Sequence, residues 1–349
     1  MNILIQQYRL KKIERLKLIL FLSILAVALL ILLKVDNMLL SFLLAFVLKY
    51  TLAPLINYAE RRNIDRSHAT LLVFVLFFSI IGALIYWALP YISVQLKAFH
   101  AELPRYIEGT RSLIFDIESR VEEVINTSVE FNLSAQAESL MVSWTKSLFE
   151  DLPNFLSKSL TTILLAPFFA YFLLKDSHSI SKKLLDLVPN SFFELALSLQ
   201  YQINEQMGQF IRARLLEAFI VGMLVWVGLS IIGFPFSHLL ALFAALTNLI
   251  PYIGPIIGAI PALIIAMING AGLLPVIGIY AFAQLIDMLF IIPLVVAKIV
   301  NLHPITVVVS IIIGAQLLGI VGMLVSIPAA SMIKVTAQNV YHHLINFRA

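Results

Sequence analysis

Cysteine is absent from all 349 residues. Disulfides, thiol catalysis and thiolate metal sites are therefore excluded. Charge is scarce as well: Asp, Glu, Lys and Arg make up 13% of the chain, about half the share of a soluble domain. The short motifs of soluble enzymes are missing too. There is no glycine-rich loop ending in Gly-Lys-Ser/Thr to cradle ATP phosphates, no His-Glu-x-x-His pair to hold zinc, and no Gly-x-Ser-x-Gly elbow to present a nucleophile. An enzyme is not expected, nor a cofactor, and the energy for any transport has to come from a gradient or another subunit. The seven histidines are scattered, with only His342 and His343 adjacent, so no metal site is expected.

What fills the chain is apolar. Hydrophobic residues make up 60% and the mean hydropathy is +0.96, which predicts an all-α polytopic integral membrane protein. The net charge of +4 is distributed locally, so it speaks to orientation in a membrane and not to nucleic acid, which is no expected partner.

Residues 1–92 read as three transmembrane helices. Arg9, Lys11, Lys12, Arg15 and Lys17 precede the apolar run 18–33, which ends in Leu32-Leu33-Lys34 with no small-residue cleavage site. A retained helix with a cytoplasmic N-terminus is expected. The second run, 38–58, stops at the basic cluster of Arg61, Arg62 and Arg66, and the third covers 69–91. Residues 93–153 turn polar, with ten acids against five Lys or Arg between Lys97 and Asp151. Leu113, Ile117, Val121 and Val124 recur there at helical spacing, which predicts an acidic helical insertion on the non-cytoplasmic side. A fourth span follows at 154–175. Within 176–212, Phe192, Leu195, Leu199, Ile203, Met207 and Phe210 recur every three or four residues, the mark of cytoplasmic amphipathic helices. A C-terminal transmembrane core, 213–334, leads to a cytoplasmic tail, 335–349. Counting the interrupted run 239–268 as one crossing gives about eight transmembrane helices, an even number that puts both termini on the cytoplasmic side.

That interrupted run is apolar enough for a bilayer, yet it carries Pro251, Pro255 and Pro261 together with Gly254 and Gly258. Each proline removes a backbone donor and clashes with the preceding turn, so a regular helix cannot pass. In lipid, the freed groups have to face protein or a water-filled cavity. Transporters use such breaks to present carbonyls and helix ends to a solute or ion. Three prolines in eleven residues exceed what one kink needs, so the stretch is expected to line a transport path, with Asn248 and Tyr252 as neutral polar groups beside it. The plainer alternative is a kink in which Gly254 and Gly258 form a small-residue helix contact. The sequence leaves open whether 239–268 crosses the membrane or re-enters.

Ionisable residues inside apolar runs need a reason. Asp287 lies near the middle of 273–297, with Gln284 and Tyr280 one and two turns before it on the same face. It is expected to bind a cation or proton, or to orient a polar solute; the structural alternative is an ion pair with Lys49 or Lys298. Lys49 otherwise snorkels toward the interface. Arg212 and Arg214 at the entry to the fifth span, His303 and Gln316 are secondary candidates. Glu217, three residues after Arg214, reads as one half of a helix-start ion pair near the interface, with no part of its own in transport.

The segment Asn248-Leu-Ile-Pro251-Tyr-Ile-Gly254-Pro-Ile-Ile-Gly258-Ala-Ile-Pro261 resembles the signature of the autoinducer-2 exporter family, the PerM-like permeases. Phe210-Ile-Arg-Ala-Arg214, Gly233-Phe-Pro235, Gln284-Leu-Ile-Asp287 with Pro293, Leu302-His-Pro304 and Gly319-Ile-Val-Gly-Met323 resemble that family's further blocks in order. Arg214 departs from the family pattern, which has glutamine there, and Met288 stands where a small or amide residue is common. The resemblance implies a bacterial inner-membrane protein of about eight helices, in a family whose members export a small quorum-sensing furanone or exchange sodium for protons.

The expectation that follows is a secondary transporter or efflux permease for a small solute. The break and the Tyr280, Gln284, Asp287 face form its path, and 190–212 acts as a lever or gate. A monovalent cation/proton antiporter centred on Asp287 is one alternative. A membrane scaffold that recruits partners through 93–153 and 190–212 is the other. Membrane lipid is an expected partner, and the small-residue faces allow a homo-oligomer.

Overall fold

The computed structural model describes residues 30–35, 37–125, 152–188, 192–270, 272–296 and 302–346, with single helical residues among 16–27 and 135–143. Among them there is helix and turn but no strand. Residues 18, 21, 22, 25, 28 and 29 of the first apolar run, and most of the insertion beyond residue 125, lie outside the described residues.

In chain order the helices are α1 (Met38–Glu60), α2 (Arg66–Ile125), α3 (Leu152–Lys175), α4 (Ser177–Asp186), α5 (Phe193–Ile231), α6 (Ser237–Asn248), α7 (Gly254–Asn269), α8 (Leu273–Ile286), which runs on as a π-helix over Asp287–Val296, and α9 (Pro304–Asn346). Among the described residues four stretches are long and apolar enough to cross a membrane: Met38–Glu60, Arg66–Arg120, Phe193–Ile231 and Leu273–Ile291. Composition changes along two of them without a break. The third apolar run and the start of the polar insertion are one helix of 60 residues, which Pro90 and Pro104 do not end. The amphipathic segment after residue 192 likewise continues into the fifth run as one helix of 39 residues.

The chain forms two compact units. One comprises Met1–Phe78, Ser159–Ala213 and Val295–Ala349; the other comprises Ser79–Lys158 and Arg214–Leu294. In the first, Ala45, Leu52 and Ile56 of α1 meet Val73 and Phe74 of α2 and Leu174 of α3. Arg66 fastens the polar end of this core: Nε donates to the Leu174 carbonyl (2.9 Å), Nη2 to Ser177 Oγ (2.7 Å), and Nη1 pairs with Glu60 (2.7 Å). One guanidinium thereby closes the α1–α2 turn and takes up an orphan carbonyl at the end of α3. In the second unit, Val221, Val225 and Leu229 of α5 pack with Leu240 and Ala244 of α6, Ala262 and Ile265 of α7, and Val276 and Ala283 of α8.

The proline-rich run is two short helices. With 12 and 16 residues, α6 and α7 rise by about 18 and 24 Å, less than the ~30 Å of a bilayer's hydrocarbon core. They lie antiparallel and close: a Cβ at Gly254 would stand 1.9 Å from the Thr247 carbonyl oxygen, and one at Gly258 would stand 2.6 Å from Thr247 Oγ1 and 3.2 Å from Ala244 Cα. The stretch doubles back on itself, which replaces the single crossing counted from the sequence.

A second reversal interrupts α9. Leu318 (φ −144°, ψ 16°) and Gly319 (φ 60°, ψ −140°) leave the helical region, and a Cβ on Gly314 would sit 2.4 Å from the Gly322 carbonyl oxygen. Residues eight apart along one helix stand about 12 Å apart. The contact therefore requires the chain to fold back at 318–319, and the last apolar run, expected as one span, consists of two arms.

Because backbone fills the Cβ position of Gly254, Gly254→Ala should abolish the native hairpin and with it monodisperse protein in detergent. Gly278 on α8 has nothing within 4 Å of its Cβ position, so Gly278→Ala should leave the fold intact and stabilise it by up to about 1 kcal/mol. Size-exclusion chromatography and thermal unfolding of the two variants check the contrast.

Candidate functional site

α5 and α8 are apolar along the second unit except at one level, where each carries acid. Arg214 and Glu217 are one turn apart on α5 and share a face. Asp287 stands where α8 widens into the π-helix that contains Pro293. That proline removes a donor an α-helix would use, and the wider turn rotates the side chains that follow; such turns recur at functional sites. All three ionisable residues are buried, with Arg214 7%, Glu217 2% and Asp287 2% exposed. Arg214 Nη1 donates to Glu217 Oε1 at 2.5 Å. The carboxyl groups of Glu217 and Asp287 lie within hydrogen-bonding reach of each other, and Gln284 Nε2 is 3.5 Å from Asp287 Oδ2.

Two carboxyl groups thus face one guanidinium. They can hydrogen-bond to each other only through a proton held between them, and without it the cluster has one more negative charge than positive. Glu217 Oε2 and Asp287 Oδ1 are buried and accept no hydrogen bond from a described protein donor. In apolar surroundings such oxygens call for a proton, a cation or a polar solute.

The other candidates of this unit lie along the same helices. Tyr280, two turns before Asp287, has its hydroxyl buried without a hydrogen-bond partner, whereas Gln284 is exposed. In the α6–α7 hairpin, Asn248 is buried with its Nδ2 unpartnered and Pro251 is buried in the turn. Pro255 opens α7, where a missing N–H leaves nothing unsatisfied, and Pro261 lies within it. Tyr252 is exposed at φ 65°, a left-handed conformation that costs a non-glycine residue about 1–2 kcal/mol. Gly254 and Gly258 serve the close approach of the two helices.

Lys49, Arg212, His303 and Gln316 belong to the other unit. His303 Nδ1 accepts from the Ile305 N–H (3.3 Å) at the start of α9, and Gln316 is exposed near the reversal. Asp287 takes its partners from α5 and its own helix in place of Lys49, and Lys298 lies outside the described residues.

Glu217 is the residue that the sequence reading set aside. Its neighbour Arg214 suggests a helix-start ion pair, but α5 begins at Phe193, more than six turns earlier. The signal that points to it is an acid at the head of an apolar run, which lipid penalises unless the acid is partnered. A groove of about 600 Å³ between α5 and α8, lined by Phe219, Met223, Val227, Gly278, Ile279 and Phe282 among others, has only apolar side chains. It offers nothing to fix a polar solute. No group of three or more His, Asp or Glu suited to a metal ion converges among the described residues.

Residues 18–342 match the family described as AI-2E family transporter. YrrI of Bacillus subtilis, named as a transport protein, is 26% identical over 305 residues, covering 86% of this chain and 86% of its own. PerM of Escherichia coli, named as a permease, is 26% identical over 305 residues with the same coverage of each chain. The Mycobacterium tuberculosis transport protein MT0215 is 24% identical over 328 residues, 91% of this chain and 88% of its own.

Removing the guanidinium would leave two buried acids without a cation, so Arg214→Met should destabilise the protein by about 3–5 kcal/mol. Glu217→Gln leaves one acid to one cation and should cost less. Glu217→Gln and Asp287→Asn should combine non-additively, with a coupling of about 0.5–3 kcal/mol in a double-mutant cycle read by denaturant unfolding.

Proposed function

The chain belongs to the AI-2E transporter family, and on that premise we propose that it is a secondary permease. It moves a small polar solute, an autoinducer-2-like furanone or another small metabolite, across the bacterial inner membrane. The observation that carries this reading is the Arg214, Glu217, Asp287 cluster, buried in helices fit to cross a membrane and holding two carboxyl oxygens that no described donor reaches. Stability alone is a weak reason to keep such a cluster, because apolar replacements of buried ion pairs are often neutral or stabilising. Intramembrane charge instead marks solute and ion paths. The unpartnered Asn248 amide and Tyr280 hydroxyl, with Gln284, supply the donors and acceptors that a hydroxylated solute requires. The α6–α7 hairpin breaks an apolar run at Asn248, and breaks of this kind are a recurrent transporter device.

The excess carboxyl favours a second reading, in which the cluster takes up and releases a proton or a monovalent cation and so couples solute movement to a gradient. Flux in proteoliposomes separates the two. Under an imposed pH or sodium gradient with a fluorescent pH reporter inside, proton movement that disappears in Asp287→Asn supports ion exchange. Solute efflux without proton movement, reduced at least tenfold in Asp287→Asn, supports an uncoupled permease. Equal flux from wild type and Asp287→Asn would remove the cluster from the path.

A further inference from the structure

Within the unit formed by Ser79–Lys158 and Arg214–Leu294, the polar arm of α2 past Pro90 reaches the start of α6. A helix begins with N–H groups that have no acceptor in the preceding turn. Phe236, the residue in the capping position of α6, has no side-chain oxygen and stands at φ 57°, so α6 has no cap of its own. Gln95 of α2 supplies one: its Oε1 accepts from the Leu239 N–H at 3.2 Å. That bond fixes the amide, because a backbone N–H meets only the oxygen. Nε2 is then the end that meets His238 Nδ1, at 2.8 Å. An amide nitrogen only donates, so Nδ1 accepts, and the neutral imidazole carries its one proton on Nε2.

The groups that meet this ring are neutral. Tyr91, one turn before Gln95 on α2, stacks on it with centroids 6.4 Å apart, and the Trp226 ring of α5 lies 5.5 Å away. On α6 itself, Ser237 Oγ is 3.4 Å from the same Nδ1, and Ser230 Oγ of α5 stands 3.5 Å from Ser237 Oγ. Among the described residues the histidine paired with an acid is His68, so no carboxylate lies within 4 Å of His238. Glu102, two turns past Gln95 on the same face of α2, accepts from the Tyr106 hydroxyl at 2.7 Å. Lys97 and His100 are exposed and leave α2 on other sides. His238 is half-buried and Tyr91 exposed, so protons reach the ring from water.

We propose that His238 is a proton-binding switch, which latches α6 to α2 when neutral and releases it when charged. The second proton has to enter at Nδ1, where it sets an N–H against the amide N–H of Gln95. Two donors face to face repel, so the Gln95 amide withdraws and its Oε1 leaves the Leu239 N–H. The charged Nδ1–H has an acceptor on its own helix, Ser237 Oγ, and the two aromatic rings against it favour the charge. One proton thus exchanges a partner on α2 for one on α6. What is released is the start of the α6–α7 hairpin, which holds Asn248 at the far end of α6. An effect of that release on transport rests on the permease reading; the latch does not.

Hydrogen exchange of the full chain in nanodiscs reads the latch without any solute. Across pH 8 to pH 5, with the intrinsic pH dependence of exchange divided out, the amides that open α6 should exchange about fivefold faster at the acid end, the worth of one hydrogen bond. His238→Gln, which takes up no proton, should abolish the difference. Gln95→Glu offers an acceptor to both Leu239 and the charged ring, so it should keep α6 closed at pH 5. No rise in the unmodified chain, an equal rise in His238→Gln, or an undiminished rise in Gln95→Glu overturns the switch. If those variants do not fold, Trp87→Phe with Trp144→Phe leaves Trp226 as the sole tryptophan beside native His238. Its emission should then change over the same pH range, and constant emission likewise overturns the switch. Acid-dependent exchange with pH-independent flux in proteoliposomes would keep the latch and remove its link to transport.

Discussion

A lipid interior offers no hydrogen-bond partner to backbone that leaves a helix, and both interruptions in the C-terminal half answer that constraint. In the α6–α7 turn the N–H groups of Leu249, Ile250, Ile253 and Gly254 all find acceptors within the turn. Pro251 and Pro255 have no N–H to satisfy. The prolines that forbid a continuous helix therefore also lower the number of donors the break would strand. Glycine does the rest: only at a position without a Cβ can the start of α7 pass against the carbonyl of Thr247. The same logic recurs in α9, where Gly319 takes the left-handed conformation and Gly314 meets Gly322 backbone to backbone.

Charge obeys a related constraint. At the polar end of the first unit, Arg66 gathers Glu60, Ser177 and the Leu174 carbonyl around one guanidinium, which is structural work. Arg214 is placed differently, with two carboxyl groups to one cation. An imbalance of that kind is costly in an apolar setting and useful where an ion or a polar group has to arrive and leave. Under the proposed function it is the cluster that is not closed that meets the transported solute or ion, while the closed one around Arg66 holds helices together.

Much of this was legible locally. Pro251, Pro255 and Pro261 announce a break because their effect on a helix is a property of the residue itself. Asp287 stands out because lone acids in apolar runs are expensive. Direction and partnership were not legible, because they depend on contacts between distant residues: Gly254 against Thr247 turns the break into a hairpin, and Glu217, seventy positions before Asp287, completes the acid pair. The reversal at Gly319 was hidden in a run whose apolar composition suits one span as well as two arms. Composition changes at about residues 92 and 212, which divides α2 and α5 on the sequence, but a change in polarity does not itself break a helix, and α2 runs on even through Pro90 and Pro104.

A chain without cysteine permits a clean test of whether the acid face of α8 meets water. Single cysteines at Gln284, beside Asp287, and at Leu285 and Phe282, exposed on other sides of the same helix, would be treated in membranes with a charged, membrane-impermeant thiol reagent. The reagent attacks only a thiolate, which forms where water reaches. A solute path through the Arg214, Glu217, Asp287 cluster predicts rapid labelling of Gln284→Cys, slowed by transported solute, and little labelling of Leu285→Cys or Phe282→Cys. Equal labelling at all three positions, or none at Gln284→Cys from either side of the membrane, would contradict it.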